Sequence, residues 1–160
     1  MVQVRVSGLA LDERNKSPVV LLQEIGGTRV LPIWIGSPEA SSIAMELAGK
    51  KFQRPLTHDL LKTVIDGLRG KVAKVVITEL KETTFFAKVL IHQDNEVLGI
   101  DARPSDSIAL ALRAGSPIFV SEDLFRLNRE EQDPTEEERA EALRKFLRSL
   151  PPEDFGKVGL

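Results

Sequence analysis

Three short segments hold the residues of this chain best suited to chemistry on a phosphate ester. Asp101-Ala-Arg-Pro-Ser-Asp106 sets two carboxylates and a guanidinium around a turn at Arg103-Pro104. Thr57-His58-Asp59 places an imidazole beside a carboxylate, and Ser37-Pro38-Glu39 adds a hydroxyl followed by an acid. Asp101 and Asp106, with Asp59 or Glu39, are hard oxygen ligands of the kind that Mg²⁺ or Mn²⁺ takes. His58 could act as a general base near neutral pH. Arg103 could bind a phosphate bidentately before a helix N-terminus, next to the Ser105 hydroxyl. It could equally be ion-paired to Asp101 or Asp106. The cations Lys50, Lys51 and Arg54, in the connector that precedes Thr57, could face an anionic partner.

Each segment has a purely structural reading as well. A hydroxyl at a helix N-cap and an acid in the first turn stabilise a helix by about 0.5–2 and 0.3–1 kcal/mol respectively. Ser37/Glu39, Thr57/Asp59 and Ser105/Asp106 all fit that pattern. Capping and chemistry are therefore both open at all three.

The elements that must position these residues follow from hydrophobic periodicity. Val2, Val4 and Val6 alternate with polar residues as a half-buried strand does. Pro18–Ile25 and Thr28–Ile35 flank Gly26-Gly27, which predicts a two-residue hairpin, and Pro32 confines the second strand to an edge or a bulge. Trp34, in the apolar run Ile33 to Ile35, reads as core. A helix from Ser37 has Ile43, Ala44, Leu47 and Ala48 as its buried stripe and stops at Gly49. A second, from Thr57, turns Leu60, Leu61, Val64, Ile65 and Leu68 inward. Strands at Val72–Leu80, Thr84–His92 and Glu96–Asp101 lead to a helix that begins at Ser105 or Asp106 and stops at Gly115, and a strand Pro117–Val120 follows. A short helical start at Ser121, a polar linker from Asn128 to Pro134 and a helix from a capping box at Thr135 complete the chain. In that last helix Leu143, Phe146, Leu147 and Leu150 form a stripe. The predicted fold is α+β: a mixed or antiparallel sheet built from hairpins, several packed helices and a C-terminal helix. Residues 1–127 form the main domain and 128–160 an acidic linker and helical extension.

Composition narrows the function. With 160 residues and no cysteine, the chain fits one main core without disulfides or thiolate metal sites. No apolar run reaches the roughly 20 residues that span a bilayer, and no signal peptide opens the chain, so we expect a cytoplasmic protein without a membrane partner. The formal charge of −2 is unevenly spread. Eight basic residues face three acids between Ala48 and Lys81, and eight acids face three arginines between Ser121 and Arg139. A phosphate-binding loop, a dinucleotide fingerprint, a His-Glu-x-x-His motif and a Gly-x-Ser-x-Gly elbow are all missing from the sequence, and no organic cofactor is expected.

Three blocks carry a family resemblance. Leu31-Pro-Ile-Trp-Ile-Gly36 with Glu39-Ala40 and Ile43 is the first, and Arg54-Pro-Leu-Thr-His-Asp-Leu60 the second. The third is Asp101-Ala-Arg-Pro-Ser-Asp106 with Ile108-Ala-Leu-Ala-Leu-Arg113 and Ser116-Pro-Ile-Phe119. In this order they resemble the bifunctional nuclease domain family. The resemblance implies a compact α+β domain, a homo-oligomer (a dimer is favoured) and a nuclease, since plant members are described as cutting DNA and RNA. It assigns no catalytic residues. The expectation is therefore a metal-assisted nuclease in which Asp101, Asp106 and Asp59 hold the cation. In it His58 moves a proton, and Arg103 and the Lys50, Lys51, Arg54 connector grip the nucleic acid. The alternatives are a non-catalytic oligomeric module that binds an anion or a protein, and a small-molecule phosphate enzyme with a closed pocket beside Ser105.

Overall fold

The computed structural model describes residues 1–132 and 136–149. Its first compact unit, Met1–Arg126, is built on one seven-stranded sheet. The strands are β1 (Val2–Asp12), β2 (Ser17–Glu24), β3 (Val30–Trp34), β4 (Gly70–Lys81), β5 (Thr84–Gln93), β6 (Glu96–Ala102) and β7 (Ile118–Val120). Their order is β3-β2-β1-β7-β4-β5-β6. Only the β4–β7 pair is parallel, so the sheet is mixed and the fold is α+β, as the periodicity predicts. The short β7 joins two antiparallel halves: Ile118, Phe119 and Val120 pair with Val4, Gln3 and Val2 on one side and with Val75, Val76 and Ile77 on the other.

Helices α1 (Ser37–Leu47), α2 (Thr57–Gly67) and α3 (Pro104–Ala114) cover the sheet. α3 is central: it packs on β4 and β5 and touches both α1 and α2. Ile108, Ala109, Leu110 and Ala111 are buried there against Val75, Ile77, Ala87 and Val89. Small residues at 109 and 111 let the helix lie close to the strands. Gly115 closes α3 at φ +64, a left-handed conformation that glycine adopts without a Cβ clash.

Several expectations are corrected by packing. The β2–β3 connection spans residues 25–29, with Gln23 paired to Val30, so Gly26-Gly27 lies in a five-residue loop, not a two-residue turn. Pro32 does lie on the edge strand β3, where a missing ladder donor costs nothing. Trp34 is 52% exposed rather than core; its indole Nε1 donates to Asp12 Oδ2 at 2.9 Å. On α1 the buried residues are Ala40, Ser42 and Ile43, whereas Ala44, Leu47 and Ala48 are exposed. On α2 most of the expected inward face points out: Leu60, Leu61, Val64 and Leu68 are exposed, whereas Ile65 packs against the core and His58 is buried. α4 runs as a helix over Glu122–Gln132, so the predicted linker from Asn128 is helical as far as Gln132.

The second compact unit is Leu127–Leu160 and contains α5 (Glu136–Ser149), in which Leu143 and Phe146 are exposed. The predicted cap Thr135, the residue Leu150 and the tail beyond it lie outside the described residues. No helix among the described residues is long and apolar enough to cross a membrane.

Candidate active site

The starts of α1, α2 and α3 are built alike. Their N-caps are Gly36, Leu56 and Arg103, none of which caps through a side chain, so Ser37, Thr57 and Ser105 stand inside the first turn. The acid in each case is the third helical residue: Glu39, Asp59 and Asp106. A carboxylate there meets the positive end of the macrodipole. Asp59 uses it directly, because its Oδ2 accepts the Leu56 backbone N–H at 2.9 Å.

One hydrogen-bonded chain links the three starts. Arg103 Nε donates to Asp106 Oδ2 at 2.9 Å and its Nη2 to Glu39 Oε1 at 3.0 Å, which ties α3 to α1. Asp106 Oδ1 lies 2.9 Å from His58 Nε2, and His58 Nδ1 lies 2.7 Å from Ser42 Oγ. Arg113 Nη2 donates to Ser42 Oγ at 3.0 Å and to the Ser42 carbonyl at 3.2 Å, while its Nε donates to Asp59 Oδ1 at 2.7 Å. Asp106, ionised, only accepts, so His58 donates to it from Nε2, and Ser42 Oγ accepts from Arg113 while sharing a hydrogen bond with His58 Nδ1.

The electrostatics follow from these contacts. Burial pushes the Asp106 carboxyl up, but hydrogen bonds from His58 and Arg103 outweigh it and hold the group below its ordinary value of 3.8. Asp59 is also held low, first by the Leu56 N–H and then by Arg113. Asp106, and after it Glu39, raise the affinity of Arg103 for its proton. The two ends of the chain differ in exposure: the Arg113 side chain is 4% exposed and that of Arg103 67%.

Asp101, Arg103 and Asp106 open onto a cleft of about 520 Å³ between α2, β5, β6 and α3. Thr57, His58 and Ser107 add polar groups, and Leu61, Ile65, Val89, Ile91 and Ile100 form aliphatic walls. Of the sequence candidates, Asp101, Arg103, Asp106 and His58 thus share one site. Glu39 joins it through Arg103, and Asp59 sits one step behind, held by Arg113. Both nitrogens of His58 are engaged within the protein, so neither is aimed at the cleft. Ser105 faces a different cleft, on the other side of Arg103. Lys50, Lys51 and Arg54 are exposed on the α1–α2 connector and line neither cleft.

The three-carboxylate cation site does not assemble. No group of three or more His, Asp or Glu side chains among the described residues is arranged to hold a metal ion. Both oxygens of Asp59 and of Asp106 already accept hydrogen bonds from N–H groups. Of the four candidate carboxylates, only that of Asp101, exposed at the end of β6, has no hydrogen-bond or ion-pair partner among the described residues.

Sequence reasoning passed over Ser42 and Arg113. A faint signal for Ser42 exists, since it follows Glu39 by three residues and sits beside Ile43 on the buried side of α1. Arg113 reads in the sequence only as a cation in the last turn of α3, where it suits the dipole.

The bifunctional nuclease domain matches residues 20–133, which include every residue of this network. The chain belongs to the bifunctional nuclease domain family. An uncharacterized protein of Mycobacterium tuberculosis is 39% identical over 164 residues, covering 97% of this chain and 98% of the relative. Bifunctional nuclease 1 of Oryza sativa subsp. indica is 26% identical over 114 residues, 68% of this chain but 34% of the rice protein. Bifunctional nuclease 1 of Arabidopsis thaliana is 27% identical over 109 residues, again 34% of its own length. This chain thus matches about a third of the length of each plant protein.

Proposed function

We propose that this domain binds nucleic acid and hydrolyses phosphodiester bonds at the mouth of the cleft between β6, α2 and α3. The observation that carries the reading is the state of Arg103. Asp106 and Glu39 fix its Nε and Nη2, while Nη1 makes no hydrogen bond among the described residues, and the side chain is 67% exposed on the cleft that Asp101 also lines. A guanidinium pinned on one edge and open on the other is preorganised to take a phosphate oxygen without losing much side-chain freedom. Asp101, with no partner of its own, orients the attacking water and takes its proton. Asp106 and His58 act through Arg103 by holding its plane, and Ser42 and Arg113 hold His58. A Mg²⁺ or Mn²⁺ ion on Asp101 and the substrate's own phosphate oxygens would supply Lewis-acid stabilisation, the usual way Mg²⁺ binds with few protein ligands. The names of the plant relatives support nuclease activity, and a basic Ala48–Lys81 segment suits an anionic partner.

The test is cleavage of labelled single- and double-stranded DNA and RNA by the purified chain, in EDTA and with Mg²⁺ or Mn²⁺. Wild type should cut at least one substrate, and Arg103→Ala and Asp101→Asn should cut it far more slowly. Absence of cleavage under all conditions refutes the reading.

A second reading is favoured by the outward apolar face of α2. Leu60, Leu61, Val64 and Leu68 are exposed on α2, and Leu98 and Ile100, on the helix-side face of the edge strand β6, are exposed as well. This surface fits a second copy of the chain, and on this reading the domain is an oligomeric binding module whose ion pairs are structural. Sedimentation of wild type against Val64→Asp separates the cases, since loss of assembly without loss of cleavage leaves the nuclease reading intact.

A further inference from the structure

On the side of Arg103 away from His58 lies a second cleft, of about 360 Å³, between the end of β3, the β4–β5 turn and the start of α3. Three features there match the parts of a nucleotide. The first is Trp34, 52% exposed, its indole held in place by the bond from Nε1 to Asp12. Trp34 lines this cleft, and an exposed aromatic side chain held by a hydrogen bond is a common platform for a nucleobase. The second is Ser105. The residue is only 6% exposed and lines this cleft; its hydroxyl makes no hydrogen bond among the described residues, and since none of their buried side-chain oxygens lacks a partner, that hydroxyl keeps contact with solvent. Its backbone N–H, in the first turn of an eleven-residue helix, also has no intrahelical acceptor. The third is Arg103, which lines both clefts and has Nη1 to spare. Thr83 and Thr84 add hydroxyls on the opposite wall, where Thr83 holds φ +70, unusual for a β-branched residue.

We propose that this cleft seats one nucleotide unit of a single strand, its base on Trp34 and its phosphate between Ser105 and Arg103. The strand then continues over Arg103 towards Asp101, so that the two clefts hold neighbouring nucleotides. This rests on the nucleic-acid reading above and adds a strand preference to it: a base inside a duplex cannot lie on the indole.

Trp34 is the sole tryptophan, so its fluorescence reports this site alone. Single-stranded oligonucleotides of eight residues, titrated in EDTA to prevent cleavage, should quench it saturably. An abasic oligomer of equal length, the matching duplex and a free mononucleotide should each bind at least tenfold more weakly. With a dye-labelled strand, Trp34→Ala should weaken binding by roughly 5- to 100-fold and Trp34→Phe by much less, as expected for base stacking. Ser105→Ala should weaken it by about 3- to 10-fold, with an unchanged melting temperature to show that the buried site still folds. Equal binding of the abasic oligomer, tighter binding of the mononucleotide than of the strand, or an unaffected Trp34→Ala variant would overturn the assignment. Cleavage without quenching sinks this inference and spares the nuclease reading. Quenching without cleavage under any metal condition does the reverse.

Discussion

Arg103 and Arg113 do the same bonding at opposite ends of one network and have opposite surroundings. Each clasps the third-residue acid of a helix and reaches a second helix: Arg103 joins Asp106 to Glu39, and Arg113 joins Asp59 to Ser42. Arg113 is sealed between α1, α2 and α3, with Nη1 taken up by the Ala109 carbonyl at 2.9 Å, so Nε, Nη1 and Nη2 are all engaged. Arg103 stands in solvent with one amine unused. The contrast separates a residue that holds helices together from one that is itself held ready. The same pair of groups, arginine and carboxylate, contributes little stability when wet and a great deal when its removal strands a buried partner.

The largest effect should come from breaking the buried end. Arg113→Ala leaves Asp59 Oδ1 and the Ser42 oxygens without their arginine donor and should cost roughly 2–4 kcal/mol of stability, discounted because Asp59 is itself about a third exposed. Urea or thermal unfolding measures it, and a loss under about 1 kcal/mol would show that the two ends are equivalent. Next, Arg103→Ala should lower cleavage by about 100-fold, the scale for removing one preorganised donor, while stability changes by less than about 1 kcal/mol. Ser42→Ala should cost about 1–2 kcal/mol, because it removes the acceptor of Arg113 and the hydrogen-bond partner of His58 together. Ser42→Thr, which keeps the hydroxyl, should recover part of that loss. If Ser42→Ala is neutral, the chain of bonds does not act as a unit.

The smallest effect is in pH, and it sharpens the same contrast. Asp59 and Asp106 titrate below their ordinary value of 3.8 in the folded protein, so in that range the unfolded chain binds more protons. Stability should therefore be level above about pH 5 and fall as pH drops through and below the ordinary carboxylate range. Arg113→Ala should flatten the part of that fall that salt does not change. Arg103→Ala should flatten the part that added salt screens.

The sheet and the helix ends were readable because they depend on local pattern. Alternation of Val2, Val4 and Val6 is a strand wherever it is placed, and Gly115 ends a helix for steric reasons of its own. The hydroxyls of Ser37, Thr57 and Ser105 mislead by one position, because acids at the third helical residue can satisfy a helix start without them. The stripe on α2 and the indole of Trp34 were read as core because hydrophobicity alone does not say which surface covers a residue. At the site, Asp101, Arg103, Asp106 and His58 were visible as a concentration of chemistry. Ser42 and Arg113 were not, since their roles exist only once α1 and α3 are side by side.

The most direct measurement is the cleavage rate of a labelled single strand by Arg103→Ala, taken at a temperature where the variant is folded. The account predicts a rate about 100-fold below wild type with a melting temperature shifted by no more than a few degrees. Full activity, or a melting loss as large as that of Arg113→Ala, would contradict it and make the exposed arginine one more structural clasp.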